Sequence, residues 1–543
     1  YPVQAAARWF DGVMNGLVNA YEAVIRWILS HRLVSLAGAA LIFLLSIVLL
    51  KFIRIEFRGH PDNGFYQVTL EAEPGTSLKA MDRMSRRVEE QLRKYPETAM
   101  VSRLVGNAQG EPNVAMIFVN MVPFRSRKRT TSAMKEVVRQ SLTPLTASLR
   151  PKVGDYDPVG YQAPFTMNVY GQDLVAVAKV AEEVKRRFAK IPGMVDADTN
   201  FRPGKPELQV ALDPERMRKL GVSTVTAGME LRGMVDGVVP ATFREAGLEY
   251  DIRVRVQPDQ RDLAEDWERF YVPNMNFNLV PLAHVASPRP AQAPAKIYRQ
   301  NRARYVQVSG DIGATGGLGN VVAEAKKIMA GMKLPPGVRY EFIGQSEDLA
   351  ELVRNIVIAM ILAVLFMYLI LGSLYESVVM PFLIMLALPL ASIGAVVGLG
   401  LTRESMNIFS MIGMVMLLGL VAKNSILLVD YAMQAIRRGV PRDEAIVQAG
   451  RVRLRPILMT TTALIAGMLP LALGLSEVAK FRRSMGIAVI GGLISSLVLT
   501  LLVIPAAYSW VDNLRIWLRR VAGRPPLREV DQDPSVAGRP GRS

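Results

Sequence analysis

The sequence predicts an α-helical membrane domain of six spans joined to a large extramembranous α+β domain. That second domain reads as ferredoxin-like, split-βαβ subdomains around an inserted, mostly β block. Two observations carry the prediction. Apolar residues are concentrated in Leu33–Ile53 and in five long runs after Glu351, whereas 54–349 has ordinary globular composition. Within that middle stretch, one pattern of strand, helix, proline-marked break and strand occurs three times. At 543 residues and 50% hydrophobic, the chain is too long for one compact domain.

Residues 1–32 come first. Trp9, Phe10, Val13, Leu17, Tyr21, Val24 and Ile28 recur at helical spacing, with Arg8, Asp11, Asn15 and Glu22 elsewhere. The pattern predicts an amphipathic helix lying on a membrane surface, where lipid would be its partner. It lacks the charged start, short apolar core and cleavage site of a signal peptide. The chain begins at Tyr1 and reads as part of something longer. The first span covers 33–53.

The first α+β subdomain is expected over 54–160. Phe65–Glu73 is a strand, followed by an N-capped helix from Ser77 to Tyr95, Pro96, and strand Met100–Val105. The second subdomain is expected over 161–209 and 296–349. It contains Phe165–Tyr170, helix Asp173–Lys190 and Val195–Thr199, then Tyr305–Ser309, helix Gly319–Met332 and Val338–Ile343. Between these halves, 210–295 includes the alternating Tyr250–Val256 and the extended Phe270–Val280, and reads as the mostly β insert.

Five spans follow within 350–510, at 352–373, 378–401, 407–432, 456–475 and 485–509. Pro381, Pro389, Pro470 and Pro505 fall in or beside them, which neighbouring helices tolerate. The connector from Gln434 to Arg455 carries six arginines against Asp443 and Glu444, and the tail after Trp510 is also arginine-rich. Both predict a cytoplasmic side, with both termini there and the large domain opposite. The 476–484 connector, with Lys480, Arg482 and Arg483, runs against that rule. Residues 511–543 form a tail whose end, rich in Gly, Pro, Arg, Ser and Asp, reads as disordered.

The net charge of +17 raises nucleic acid as a partner, but much of it flanks spans and no basic stripe interleaves with aromatics, so nucleic-acid binding is not expected. Zero cysteines exclude disulfides, thiol catalysis and thiolate metal sites. His31, His60 and His284 lack ligand spacing, so no metal centre is expected. No nucleophile elbow, phosphate loop or metal-binding helix supports an enzyme. Asp196 and Asp198 share a strand face and read as a solvated edge without a second feature. Met116 and Met121 suit gap filling as well as soft-metal handling.

The residues that stand out are Lys423 and Asn424, inside the otherwise apolar GLVAKNSILLVDYA (419–432). An ammonium in hydrocarbon is costly and points to an ion or proton pathway. The competing reading is snorkelling, because Asp430 marks the span's end roughly 10 Å away at helical rise.

GLVAKNSILLVDYA, RVRLRPILMTTTA (451–463), GMLPLALG (467–474) and LYESVVMPF (374–382) together resemble the C-terminal half of a resistance–nodulation–cell division (RND) multidrug efflux pump. The resemblance extends to about residue 520. It implies porter subdomains split around a docking domain, and a proton relay in which Lys423 pairs with carboxylates of another span. By motif it adds Arg453 and Thr460 to Lys423 and Asn424. It implies no cofactor, proton motive force as the driver, and export of amphiphilic compounds from the periplasm or outer leaflet. The implied setting is the inner membrane of a Gram-negative bacterium, in a trimer joined to a periplasmic adaptor and an outer-membrane channel.

Two departures matter. The six spans contain no mid-membrane Asp or Glu, so an N-terminal half or subunit must supply the carboxylates. The loop 106–114, GNAQGEPNV, lacks the aromatics expected of a drug pocket, leaving Phe118 and Met116 as candidate substrate contacts beside a plain buried-strand reading. The alternative from another class is a SecD-like protein-export subunit, which also has one span, an outer domain and five spans. Lys423 with Arg453-Leu454-Arg455-Pro456 favours efflux.

Overall fold

A computed structural model describes residues 2–59, 62–107, 110–156, 162–202, 204, 206–257, 266–292, 296–313 and 316–521, with the side chains of 2–11, 13, 147, 206, 292, 477, 478 and 514–521 excepted. The expected disordered end of the tail lies outside these residues. Helix α1 (Pro2–Ser30) leads into α2 (Arg32–Leu50). Tyr21, Ile25 and Ile28 of α1 are turned to the protein, while Leu17 and Val24 of the expected apolar stripe are exposed.

The first unit runs β1 (Phe65–Glu71), α3 (Leu78–Arg93), β2 (Thr98–Val105), β3 (Val114–Met121), α4 (Thr131–Leu142) and β4 (Arg150–Asp155). Its sheet is antiparallel, in the order β2-β3-β1-β4. Ser77 and Thr130 cap the two helices by accepting from Ala80 N and Ala133 N. Alternation then divides β3: Ala115, Ile117 and Val119 enter the core with Tyr66, Val68 and Leu70, while Met116 and Phe118 face the other way.

The second unit begins with β5 (Phe165–Gly171), α5 (Leu174–Phe188) and β6 (Met194–Thr199). The chain then leaves it for an insert: β7 (Pro206–Leu212), α6 (Pro214–Leu220), α7 (Thr224–Val235), β8 (Val238–Glu245), β9 (Leu248–Val254), β10 (Tyr271–Pro273), β11 (Leu279–Pro281), α8 (Leu282–Val285) and β12 (Ala286–Gln292). It returns with β13 (Tyr298–Gln300), β14 (Ala303–Ile312), α9 (Leu318–Ala330) and β15 (Arg339–Ile343). Strands β6, β14, β5 and β15 lie in the same order as the first unit's four, with β13 added beside β14.

Strand–helix–strand therefore occurs four times, not three: the copy through β3, α4 and β4 was not expected. Its break is the Thr143–Ala147 3₁₀ turn, and β4 carries Arg, Pro, Lys, Gly and Asp. The insert also holds more helix than expected. Asp213 caps α6 ahead of Pro214, Gly221 closes it in the left-handed region, and Ser223 caps α7.

The membrane half consists of α10 (Gln345–Tyr375), α11 (Val379–Met385), α12 (Ala387–Thr402), α13 (Ile408–Arg437), α14 (Arg442–Leu473), the short α15 (Glu477–Phe481) and α16 (Arg483–Val521). With α11 and α12 forming one span, six helical segments are long and apolar enough to cross a membrane. The break between α11 and α12 has a cause: Pro389 has no amide to offer the Met385 carbonyl. Pro505 likewise leaves the Leu501 carbonyl without its helical donor, and the Tyr21 hydroxyl donates to that oxygen at 3.0 Å. Helix α1 is thereby pinned to α16.

Helices α12 and α16 meet backbone to backbone. A Cβ on Gly394 would lie 2.1 Å from the Gly491 carbonyl oxygen and 2.2 Å from the Ser495 Cβ. Both ends of the bundle are tied. On the α+β side, Lys480 sits 3.4 Å from Asp62 and 3.7 Å over the Phe124 ring, and Arg483 is 3.4 Å from Glu404. The three cations of the 476–484 connector thus lie at the α+β end, where Lys480 and Arg483 meet acids. At the opposite end Arg32 pairs with Asp443 at 2.9 Å and Arg442 with Asp512 at 3.0 Å.

Gly394→Ala should cost about 1–3 kcal/mol, because the neighbour it strikes is backbone. Gly38→Ala, with open space at its Cβ, should leave stability unchanged or slightly raised. Unfolding of the purified chain in detergent measures both.

Candidate functional site

The capping box of Asn407 and Ser410 starts α13, and Ser484 donates to the Asn407 Oδ1 at 2.9 Å, fixing the helix against α16. From there the helix has two unlike faces. Gly413, Leu417, Val421, Asn424 and Ser425 are buried, whereas Ile412, Met416, Gly419 and Lys423 form an exposed stripe at i, i+4, i+7, i+11. Among the described residues Lys423 has no hydrogen-bond or ion-pair partner. Asp430, toward which it could snorkel, accepts from Gln434 at 2.8 Å. Open space surrounds the position of a Cβ on Gly419, one turn away.

Asn424 points the other way, about 100° around the helix. It is 6% exposed, and its Nδ2 donates to the Thr461 Oγ1 across the α13–α14 contact at 3.4 Å. Thr461 was not among the expected residues. Thr460 turns its hydroxyl back to the Ile457 carbonyl at 3.2 Å. Arg453 reaches α13 differently: its guanidinium lies 5.2 Å over the Tyr431 ring, and its Nε is buried without a hydrogen-bond partner. The structure therefore joins Asn424 and Arg453 to the α13–α14 contact and leaves Lys423 outside it. The signal for Thr461 lay in the run Thr460-Thr461-Thr462, where a one-residue choice turns a side chain by about 100°.

A second site lies between the two α+β units. A cleft of about 770 Å³ is lined by Glu71, Asn113 and Lys152 from one side and Thr166, Arg202 and Gln307 from the other. Arg202 crosses it, 2.7 Å from Glu71 Oε2 and 2.7 Å from Asp198 Oδ2, and Lys152 meets Asp198 at 2.7 Å. These cations hold the Asp198 carboxyl well below its ordinary range, overcoming burial, which pushes it up. Asp198 is thus an interdomain ion partner, not a solvated edge. At the cleft wall Lys296 pairs with Glu111 at 2.6 Å.

Met116 and Phe118 do not line this cleft. They sit on the helix-free face of the first sheet, where Phe118 packs edge-on against Tyr156 with centroids 5.6 Å apart. Among the described residues, no group of three or more His, Asp or Glu forms a metal site.

Thr461→Val should destabilise the chain by about 1–3 kcal/mol, since the buried Asn424 amide loses its partner, whereas Thr460→Val should cost less than about 1 kcal/mol. Denaturant titration of the two variants side by side tests the register.

The profile of the AcrB/AcrD/AcrF family matches residues 3–512. Multidrug resistance protein MdtC of Escherichia coli O81 (strain ED1a) is 28% identical over 524 residues, covering 95% of this chain and 51% of that protein. MdtC of Escherichia coli O6:H1 matches with the same identity and coverage. Among solved structures, a heavy metal efflux pump superimposes with a TM-score of 0.83 at 23% identity, over 92% of this chain and 53% of that one. This second likeness is one of fold. The chain spans about half the length of the curated relatives it matches, and nothing in these matches favours a SecD-like subunit. With its six candidate spans and its match from residue 3 to residue 512, the chain belongs to the AcrB/AcrD/AcrF family of RND efflux transporters.

Proposed function

We propose that this chain works as the C-terminal half of a proton-driven RND exporter of amphiphilic compounds, and that an N-terminal half supplies the carboxylates its own spans lack. The observation that carries the reading is Lys423 on the uncovered stripe of α13. A lone ammonium on an apolar helix face costs several kcal/mol in hydrocarbon, of order 3 even on the mildest scales, unless a counter-charge covers it. A carboxylate there, protonated and deprotonated in turn, would break and remake the pair and shift the helices. Asn424 with Thr461, and Arg453 over Tyr431, hold α14 to α13 and would carry that shift; Thr460 lies one residue away on α14.

Burial supports the same reading. The span of α11 and α12, and helices α13 and α16, bury 61, 50 and 56% of their most apolar windows, whereas α2, α10 and α14 bury 11, 6 and 11%. Lys423 therefore belongs to a half-bundle with room for a second half against it. In the α+β domain, the two units act as ferredoxin-like porter subdomains and the 206–292 insert as the docking domain. The polar cleft suits an amphiphile's head group. The sheet face bearing Met116, Phe118, Phe65, Met100 and Leu104 suits its apolar part. The setting that goes with this reading is the inner membrane of a Gram-negative cell, with the α+β domain in the periplasm and both termini in the cytoplasm. The working form is a trimer with a periplasmic adaptor and an outer-membrane channel.

Lys423→Met in the assembled pump should abolish proton-coupled efflux of a fluorescent amphiphile from proteoliposomes while leaving co-purification of the two halves intact. Efflux at the wild-type rate would overturn the proposal. So would purification of a transport-competent complex without any membrane-embedded Asp or Glu.

A further inference from the structure

Outside the membrane, one carboxylate has a setting that neither the relay nor the cleft uses. Asp311, on β14 of the second unit, is 2% exposed and lies where the β14–β6 register shifts. Its Oδ1 accepts from the Ile312 amide at 2.7 Å, but its Oδ2 is buried with no hydrogen-bond partner. The nearest cation, Arg139 on α4 of the first unit, stands 3.6 Å from that oxygen. Arg139 is committed elsewhere: it donates to Asp196 at 2.8 Å, Glu136 at 2.9 Å and the Val153 carbonyl at 2.8 Å. Lys135, also on α4, is committed to Asp155 of β4 at 2.7 Å. The groups nearest Asp311 are thus Lys135, Glu136 and Arg139 from α4, Asp155 from β4, Asp196 from β6, and Asp311 itself; farther along the same seam Lys152 and Arg202 pair with Asp198 and Glu71. In this immediate group two cations face four carboxylates, and the most buried carboxylate has the poorest partner.

We propose that Asp311 is a proton-binding site at the seam between the two α+β units, distinct from the membrane relay, and that the bound proton holds the seam closed. A proton on Oδ2 removes the uncompensated buried charge. The seam joins α4 and β4 of one unit to β6 and β14 of the other, so opening it admits water to the carboxyl and releases the cost of burying it. Burial pushes the Asp311 carboxyl up to about 6, with Lys135 pulling down, Asp155 pushing up and Arg139 pulling down. An acid raised in the closed state favours closure at low pH; that contribution is full below the ordinary value of 3.8 and is lost progressively as pH rises from there to about 6. Full ionisation would shift the closed–open balance on the order of 100-fold toward open. The inference does not depend on what the transporter carries.

The chain has no cysteine, so a single pair of spin labels can be introduced at Glu90→Cys on α3 and Lys179→Cys on α5, both exposed. In the full chain in lipid nanodiscs, the label distance should be narrowly distributed at about pH 4 and broadened or lengthened at about pH 7. Asp311→Asn, which keeps the shape and removes the charge, should be narrow at both. Infrared titration of the unlabelled wild-type chain provides a readout that needs no variant: a buried protonated-carboxyl band should disappear with a midpoint near the same pH of about 6. A distance that changes with pH as much in Asp311→Asn as in wild type, or absence of that band at low pH, would overturn the proposal.

Discussion

The backbone contact between α12 and α16 at Gly394 and Gly491 sets the spacing on which the membrane half is built. With no side chain between them, the two helices approach as closely as helices can, and dispersion contacts replace the hydrophobic drive that lipid cannot supply. Helix α16 then serves α13 in the same way: a Cβ on Gly492 would meet the Leu417 side chain at 2.1 Å, and Gly413 faces Met485 and Val489. Once α13 is seated by Gly413 and Leu417, its rotation is fixed. Asn424 must turn inward to Thr461, and Lys423, one residue earlier, must turn out. The exposure of the ammonium is a consequence of glycine packing some three turns away.

The two α+β units are joined by a different kind of contact. Each has its own apolar core, centred on Tyr66 and Ile117 in one and on Phe165 and Phe188 in the other. Across the seam the contacts are ionic: Arg139 with Asp196, Lys152 with Asp198, Arg202 with Glu71. Surfaces of this kind suit bodies that move relative to each other, because water can replace ion pairs at small net cost. Asp311 is the exception within the seam, since water relieves it.

What could be read from the sequence followed the strength of the local signal. Six apolar runs correspond to six helical spans, one of them broken into α11 and α12, and helices with a clear cap, such as Leu78–Arg93 and Leu174–Phe188, lie within a residue or two of their expected bounds. The copy through β3, α4 and β4 escaped because Arg150–Asp155 has no alternation to show, being a strand only through its pairing with Tyr66–Glu71. Helices α6 and α7 had legible caps at Asp213-Pro214 and Ser223, but strong β alternation downstream set the character of the whole block. The residues of the ion seam were harder. Arg139 and Asp311 are 172 positions apart, and only the fold brings them together. Asp198 looked like an edge because its partners, Lys152 and Arg202, carry no motif.

The connector between α14 and α16 bears three positive charges at the end of the bundle where the positive-inside rule expects few. In the folded chain Lys480 meets Asp62 and the Phe124 ring, and Arg483 meets Glu404, so the charge is largely compensated at its destination. Asp62 and Phe124 are presented by the first α+β unit, where Asp62 is held by Arg127 and by the Thr131 amide at 2.8 Å. That compensation does not exist until the unit has folded. Asp62, Phe124 and Glu404 all precede the connector in the chain, so the groups that receive its cations are made before it. The last two spans are in this sense received by a surface already built: tertiary pairing with the first α+β unit, as well as the apolar length of the helices, sets which end of the hairpin meets that unit.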